Sequence, residues 1–263
     1  MTIKAYAKVN LTLEVYGIRA DGYHELRSIV MPIALADTIG ISEAEGISCD
    51  TGFADDLCVK AARALDPEGS RGARIRVEKR IPVGGGLGGG SADAAATLIA
   101  LNEMWKLGKT LEELAAIGAS VGSDVPALVL AQSGSPVLME GRGERTMVLD
   151  RAERVDIVLV NPGVHSSTAE VYARCAARRE RPQGRVNDLQ AAAIAIHPEI
   201  GTALTALAAA GGREAMMSGS GSTVFAFADS PERADEIARR IEKETGFRTW
   251  ATENLVSYQK TVP

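Results

Sequence analysis

Residues 82–96 read PVGGGLGGGSADAAA, and this stretch decides how the rest of the chain is interpreted. Six of the seven residues from Gly84 to Gly90 are glycine, the residue that loses most backbone freedom on folding. A strand-like segment (74–79) precedes the run and an apolar helical segment (94–105) follows it, so we expect the run to be ordered. Glycine lets backbone N–H groups converge on one point, and a helix N-terminus adds unpaired donors and partial positive charge. The stretch therefore favours a phosphate cradle over a structural turn.

The spacing excludes the two commonest phosphate loops. Gly84, Gly86 and Gly89 satisfy G-x-G-x-x-G, a weak pattern by itself, but neither a buried strand before it nor an acid-terminated strand after it accompanies it. Gly108-Lys109-Thr110 resembles the end of a Walker A motif, whose first glycine would have to stand at Glu103. The remaining pattern is Pro-x-x-x-Gly-Leu-Gly-Gly-Gly-Ser-Ala followed by a helix. It resembles the ATP loop of the galactokinase, homoserine kinase, mevalonate kinase and phosphomevalonate kinase superfamily.

The composition bounds the class of protein. The chain has 263 residues, 46% hydrophobic and 24% charged, with a net charge of −5, which allows one large or two ordinary domains and does not favour nucleic-acid binding. Its three cysteines lack C-x-x-C spacing, so we expect a reducing compartment, no disulfide framework and no zinc or other protein-held metal site. Lys4, Lys8 and Asn10 interrupt the N-terminal segment, so a signal peptide is not expected. No apolar run in the sequence reaches the length of a membrane span, so none is expected either. These features predict a cytoplasmic protein with no membrane partner.

The pattern of elements changes near residue 151, and the element order after it is compatible with a split β-α-β, ferredoxin-like domain (153–263). The resemblance to the kinase superfamily implies that the part before it (1–152) is an N-terminal ATP-binding and catalytic domain. In the N-terminal domain, we expect strands at 7–15, 28–33, 38–42, 74–79 and 137–139, and helices at 54–65, 91–105, 110–117 and 127–130. In the C-terminal domain, we expect strands at 155–160, 214–217, 224–228 and 247–251, helices at 169–178, 188–196, 198–210 and 231–244, and an exposed loop at 178–185.

Two polar residues on the first strand are candidate catalytic groups. Lys8 and Asn10 lie two residues apart, so their side chains share a face at a separation of about 7 Å. A solvated strand face is the simplest explanation. Beside a phosphate loop, however, a lysine on a rigid strand supplies the positive charge that phosphoryl transfer needs, and the asparagine supplies a polar orienting group.

Asp124 precedes Val125-Pro126 and has two interpretations. It is typical of a helix N-cap followed by proline in the first turn. The alternative is a general base that accepts a hydroxyl proton, and a cap position would hold such a carboxylate rigidly. At the loop helix, Ser91 suits a phosphate or magnesium contact, whereas Asp93 is typical of a first-turn acid that complements the helix dipole.

Two further segments have open interpretations. Tyr23-His24 follows an Asp-Gly turn, and a tyrosine beside a polar turn suits stacking on a base in a chain with only 4% aromatic residues. The loop Ser218-Gly219-Ser220-Gly221-Ser222 is either a second anion nest or a flexible hairpin connection.

Taken together, the motifs resemble the kinases of the non-mevalonate isoprenoid pathway, the 4-diphosphocytidyl-2-C-methyl-D-erythritol kinases. The matching segments occur in that family's order and span nearly the whole chain: 7–11, 19–24, 79–90, 122–126 and 218–221. The glycine loop alone specifies the superfamily. The segment 19–24 and the long GGGLGGGS form indicate this member.

The resemblance implies an α+β, two-domain small-molecule kinase fold with the active site in the interdomain cleft, and transfer of the ATP γ-phosphate to the 2-hydroxyl of 4-(cytidine 5'-diphospho)-2-C-methyl-D-erythritol. It implies ATP and Mg²⁺ (as the ATP complex) as cofactors, and a monomer or weak homodimer is expected. The implied roles are: Asp124 as catalytic base and Lys8 as its electrostatic partner; Asn10, Tyr23 and His24 as substrate-binding residues; Lys79 and the run Pro82, Val83, Gly84, Gly85, Gly86, Leu87, Gly88, Gly89, Gly90, Ser91 and Ala92 as the ATP-binding residues.

One position departs from the family pattern. Relatives tend to read Asp-Asn-Leu where this chain has Asp55-Asp56-Leu57, and the asparagine is expected near adenine, so Lys79 is left as the expected contact there. Two rival functions remain open at this stage: a kinase of the same superfamily acting on homoserine or mevalonate, and a catalytically silent relative that only binds a nucleotide. Tyr23-His24 argues against the first, and the presence of both Lys8 and Asp124 argues against the second.

Overall fold

Two long antiparallel strands form the centre of the N-terminal half of the computed structural model, which describes residues 1–177 and 184–256. Strand β1 (Thr2–Ile18) pairs along its length with β2 (His24–Glu43). The two separate strands predicted at 28–33 and 38–42 are thus one strand. Pro32 lies where the register shifts, between the Tyr6–Ala36 and Lys8–Pro32 pairs, so its missing N–H does not interrupt the sheet.

The remaining N-terminal elements build on this pair. They are β3 (Ile47–Cys49), α1 (Leu57–Leu65), β4 (Ala73–Glu78), α2 (Gly89–Met104), α3 (Leu111–Gly118), α4 (Val125–Ala131), β5 (Val137–Gly141) and β6 (Arg145–Val148). The strands form one six-stranded sheet in the order β3-β4-β2-β5-β6, with β1 on β2. Strands β3 and β6 were not predicted, because segments of three and four residues are too short to show a periodicity.

The C-terminal half forms a second sheet with helices. Its elements are β7 (Asp156–Asn161), α5 (Thr168–Arg174), α6 (Gln190–Ile196), α7 (Pro198–Ala209), β8 (Arg213–Met217), β9 (Val224–Ala228), α8 (Pro231–Thr245) and β10 (Arg248–Glu253). The four strands are antiparallel in the order β10-β7-β9-β8. The α+β class is confirmed. Of the predicted loop, 178–183 lies outside the described residues, and Gly184 and Arg185 are exposed.

Helix α2 occupies the core of the N-terminal half. Its first three turns carry a run of buried small residues, including Ala92, Ala94, Ala95 and Ala96 at 0% exposure. Alanine allows close approach from every side, so the helix packs against both β1 and α4. Because α2 is fixed in this way, the glycine loop at its N-terminus has a fixed position. The predicted domain boundary at residue 152 falls between β6 and β7, and the division itself remains a prediction.

Within residues 1–177 and 184–256, no single helix has the length and apolar composition needed to cross a membrane. Helices α6 and α7 meet the length and composition requirements only when they are taken together, and this pair is bent by 119° at its junction.

Candidate active site

The glycine loop is an ordered turn that ends in a helix N-terminus. Gly84, Gly86 and Gly88 have φ angles of +67°, +75° and +69°, which glycine adopts without strain. At Gly86 a Cβ atom would lie 2.2 Å from the carbonyl oxygen of Ser218, so no other residue fits there. Gly88 caps α2 without a side-chain acceptor, so the first-turn N–H groups are left for a ligand. The predicted phosphate cradle therefore has the required backbone.

The second glycine-rich loop is packed against the first. Ser218 is buried, donates its hydroxyl proton to the Gly86 carbonyl oxygen (3.0 Å) and accepts a bond from the Asn10 backbone N–H (3.3 Å). The Thr223 N–H donates to the Gly85 carbonyl oxygen at 3.0 Å. The flexible hairpin alternative is therefore wrong, because buried hydrogen bonds fix this connection between β8 and β9. An anion-binding role for the loop remains a prediction.

Lys8 is a buried cation with three fixed acceptors. Its side chain lies 2.6 Å from Asn10 Oδ1, 3.0 Å from the Gly86 carbonyl oxygen and 3.4 Å from Asp124 Oδ2, measured from Nζ. The first two are hydrogen bonds from the Lys8 ammonium group, and the third is an ion pair. Lys8 and Asn10 are each only 3% exposed, so the interpretation as a solvated strand face is wrong.

Asn10 in turn is held by the neighbouring strand. Its Nδ2 donates to Ser28 Oγ on β2 at 2.8 Å, while its Oδ1 accepts from Lys8. The Asn10 amide thus orients Lys8, and the predicted contact between Asn10 and substrate remains a prediction. Ser28 was missed by the sequence analysis, although a serine within the apolar run of β2 was a signal of a buried polar partner.

Asp124 stands at the N-cap position of α4, but its side chain makes no capping hydrogen bond. The carboxylate faces Lys8 instead and keeps 32% of its side chain exposed to the cleft. The simple N-cap interpretation is therefore wrong for the side chain. A rigid, accessible carboxylate beside a buried ammonium is suited to accept a proton from a bound hydroxyl group.

A second buried charged cluster lies under the loop helix. Lys79 Nζ is 2.7 Å from Asp93 Oδ2 and also binds Asp37, whose other oxygen accepts the N–H groups of Arg80 and Ile81. Asp93 is 4% exposed, and its Oδ1 has no hydrogen-bond partner among the described residues. Asp93 is thus a buried ion-pair partner, contrary to the prediction of a first-turn acid that only complements the dipole.

Burial raises the pKa of the Asp93 carboxyl group to about 7, against the opposing effect of Lys79 and with a further increase from Asp37. The charged form of Asp93 is therefore less favourable in the folded chain than in the unfolded chain, where the group titrates near its ordinary value of about 4. Its contribution to stability is fully present below pH 4 and is lost as the pH rises towards 7.

We expect Asp93→Asn to remove this pH dependence. At about pH 3.5 the variant and the original chain should have similar melting temperatures, because the Asp93 carboxyl group is then mostly neutral in both the folded and the unfolded chain. At pH 8 the variant should be the more stable by a few degrees, on the scale of roughly 2–4 °C per kcal/mol for a chain of this size. Thermal unfolding at the two pH values measures this. A melting-temperature difference that stays constant with pH would contradict the raised pKa.

The predicted substrate-binding aromatic residues lie at the tip of the β1–β2 hairpin. Tyr23 is 51% exposed and its ring is 5.0 Å from the Arg142 guanidinium. The His24 ring lies 4.9 Å from that of Tyr172 on α5, which lines the cleft. Burial raises the pKa of the Tyr172 hydroxyl, and Asp124 adds to this effect. Tyr172 was missed, because a single tyrosine in an amphipathic helix gives no sequence signal.

At the opposite side of the glycine loop, Asp56 caps α1 by accepting the Val59 N–H at 2.9 Å, and it also accepts the Thr51 hydroxyl. The neighbouring Cys58 thiol lowers the pKa of Cys49, whereas the neighbouring Cys49 thiol and burial both raise the pKa of Cys58. Asp56 is therefore a structural cap as well as a cleft residue.

These groups surround one cleft of about 560 Å³. The predicted site residues that line it are Lys8, Asn10, Lys79, Pro82–Gly86, Gly88–Ser91 and Asp124. Leu87 and Ala92 instead lie in the core at 1% and 0% exposure, so only their backbone is available to a ligand. Tyr23 and His24 do not line the cleft, and their roles remain predictions. Residues from the second half, including Ser166, Thr168 and Ser220, complete the walls.

The comparisons with known proteins agree with this geometry. The family model of the GHMP kinase N-terminal domain matches residues 56–132, and that of the GHMP kinase C-terminal domain matches residues 174–246. The chain is 40% identical to the 4-diphosphocytidyl-2-C-methyl-D-erythritol kinase of Moorella thermoacetica, over 97% of this chain and 99% of the relative. It is 38% identical to the kinase of the same name from Citrifermentans bemidjiense, over 94% and 96%.

Solved structures give the same result. A crystal structure of 4-(cytidine 5'-diphospho)-2C-methyl-D-erythritol kinase is similar with a TM-score of 0.84 and 32% identity, over 97% of this chain and 99% of that one. A mevalonate kinase structure, with a TM-score of 0.69, 15% identity and the same coverages, shows the common fold alone. The chain is an ATP-dependent small-molecule kinase. The relatives matched over nearly their full length, the similar solved structure and the family models all indicate the same family. The chain therefore belongs to the 4-diphosphocytidyl-2-C-methyl-D-erythritol kinase family of the GHMP kinases.

Proposed function

We propose that this chain transfers the γ-phosphoryl group of ATP to the 2-hydroxyl of 4-(cytidine 5'-diphospho)-2-C-methyl-D-erythritol, in the non-mevalonate route to isoprenoid precursors. The observation that carries the proposal is the Lys8–Asp124 pair beside the glycine loop in a single cleft. The near full-length relatives of the same named activity support the choice of substrate.

In the proposed reaction, the glycine loop and the N-terminus of α2 hold the ATP phosphates. Asp124 accepts the proton of the substrate hydroxyl as its oxygen bonds to the γ-phosphorus and the bond to the β–γ bridging oxygen breaks, which releases ADP. Lys8 offers positive charge to the transferring phosphoryl group. Because Asn10 and the Gly86 carbonyl oxygen fix the Lys8 ammonium, this charge is already in position when the substrates bind.

The residues present fit a magnesium ion carried on ATP. Magnesium takes oxygen ligands, usually one or two from protein together with phosphates and water. The Ser91 hydroxyl lines the cleft at the start of α2, so it would hold the ion together with the ATP phosphates and water. When bound, Mg²⁺ neutralises charge on the phosphate oxygens.

The base-binding ends are assigned as follows. Tyr23, His24 and Asn10 bind the cytidine diphosphate part, supported by the ring contact of His24 with Tyr172 on the cleft wall. Lys79 lies near the adenine, where Asp56 takes the place of the family's asparagine. The proposal also includes a cytoplasmic location, where ATP is abundant, and a monomer or weak homodimer, supported by the fact that one chain supplies residues to every wall of this cleft.

A coupled ADP-release assay tests the proposal. We expect ATP turnover with the cytidine-bearing substrate and none above background with homoserine or mevalonate. Turnover with either of these alone would favour the other superfamily activities. No turnover with any acceptor, together with measurable ATP binding, would indicate a silent nucleotide-binding relative.

We expect Tyr23→Ala to raise KM for the cytidine-bearing substrate by about 5- to 150-fold, because base–aromatic stacking contributes roughly 1–3 kcal/mol. KM for ATP should stay unchanged. A core tyrosine would instead lose about 3–5 kcal/mol of stability on truncation, but Tyr23 is half exposed. Steady-state kinetics and thermal unfolding separate the two effects. A lower melting temperature with an unaltered KM would remove Tyr23 from substrate binding.

A further inference from the structure

Cys49 and Cys58 are nine residues apart in the sequence, and the fold brings them together beside the cleft. Cys49 ends β3 and is half-buried, whereas Cys58 lies in the first turn of α1 and is 2% exposed. They come from a strand and a helix and so lack the short spacing by which metal-binding cysteines are usually recognised. The third cysteine, Cys175, follows α5 in the other half of the chain.

Asp56 completes a set of three potential ligands. One ligand atom each from Cys49, Asp56 and Cys58 lies within 4.8 Å of the other two. The two carboxylate oxygens of Asp56 have different partners: one accepts the Val59 N–H and caps α1, whereas the other, among residues 1–177 and 184–256, accepts only the rotatable hydroxyl of Thr51. The second oxygen can therefore bind an ion without loss of the helix cap.

The donor set selects a class of ion. Two sulfur ligands favour zinc and similar soft cations, and disfavour magnesium and calcium, which take oxygen ligands. Three protein ligands with a fourth position open to solvent is a common arrangement for tetrahedral zinc. Thr51, Asp56 and Cys58 all line the cleft, so an ion has a path to the cluster.

We propose that Cys49, Asp56 and Cys58 form a binding site for a thiophilic divalent cation such as Zn²⁺ on the wall of the cleft. This site is separate from the Mg²⁺ carried by ATP, because its donors differ and lie on β3 and α1 instead of the glycine loop. A bound ion would join β3 to the first turn of α1. It would thus fix the wall that Leu57 forms next to Gly90, where the Leu57 methyl group lies 3.5 Å from a Cβ built on that glycine.

Cobalt(II) is the probe for the test, because thiolate coordination gives it a sulfur-to-metal charge-transfer absorption in the near ultraviolet. Titration of the full chain, first reduced and freed of reductant, should give this band with saturation at one equivalent. We expect Cys49→Ser and Cys58→Ser each to lose the band. Asp56→Asn should keep a thiolate band but saturate at higher cobalt concentration. Cys175→Ser, the matched control, should behave as the original chain.

Thermal unfolding provides a second readout that does not depend on colour or on kinase activity. Zn²⁺ should raise the melting temperature of the original chain and of Cys175→Ser, but not of Cys49→Ser, since a ligand stabilises only the fold that binds it. Cys49 is half-buried, so its serine variant should fold even if the buried Cys58→Ser does not. The proposal is overturned if the reduced chain gives no band, if the band survives in Cys49→Ser, if it disappears in Cys175→Ser, or if Asp56→Asn binds cobalt as tightly as the original chain.

Discussion

Asp124→Asn should lower kcat by roughly 10²-fold or more, the scale of a general-base contribution, while KM for ATP stays nearly unchanged. Asparagine keeps the shape of the side chain, but it cannot take the proton of the substrate hydroxyl. Asp124 Oδ2 lies 3.4 Å from Lys8 Nζ, so the carboxylate that would accept the proton is next to the cation offered to the transferring phosphoryl group.

The same variant distinguishes the catalytic role from the capping role. Loss of a side-chain cap usually costs about 0.5–2 kcal/mol of stability, but the Asp124 side chain makes no capping bond to α4. Asp124→Asn should therefore keep its melting temperature. Asp235→Asn, on the exposed face of α8, is the matched control and should keep both kcat and stability. A variant at Asp124 that retains most of its kcat, or that loses stability with unchanged kcat per folded molecule, would remove Asp124 from the role of base.

The elements of the fold were largely predictable because each has a local signal. The capping box of α3 illustrates this: Thr110 and Glu113 bond reciprocally as their spacing indicated. The joining of the two predicted strands into β2 was not predictable, because it depends on pairing with β1 on one side and with β4 and β5 on the other. Pairing of this kind involves residues that are far apart in the sequence, so a short stretch of sequence gives no signal for it.

The candidate site divides in the same way. The glycine loop is visible in the sequence because it needs glycine at consecutive positions. The partners that hold Asn10 and Lys79 were not predicted, because the roles of Ser28 and Asp37 arise only when β2 pairs with β1 and β4. Asp93 also differs from its prediction because of burial. The local sequence places it in a solvent-exposed first turn, whereas in the fold it is buried next to Lys79.

The second large effect is expected at Gly88. Gly88→Val should abolish measurable nucleotide binding, because a β-branched side chain is strained at φ +69° and restricts the backbone that has to approach the phosphates. The structure adds a second cause: a Cβ at this position lies 3.0 Å from Lys8 Cε and 3.2 Å from a Leu128 methyl group. Since Leu128 belongs to the buried helix α4 and cannot retreat, the side chain of Lys8 would have to move away from Asp124 and Gly86.

Gly108→Val is the matched control, because it separates backbone strain from the contact with the site. Gly108 has a similar φ of +67°, but a Cβ there meets no atom within 4 Å. Both variants should therefore lose a similar amount of stability from the left-handed backbone, about 1–2 kcal/mol. Only Gly88→Val should lose nucleotide binding, measured by calorimetric titration with a non-hydrolysable ATP analogue on protein that circular dichroism shows to be folded. Normal affinity in folded Gly88→Val would contradict the cradle, whereas equal loss in both variants would mean that stability, and not the approach of the phosphates to the loop, controls binding.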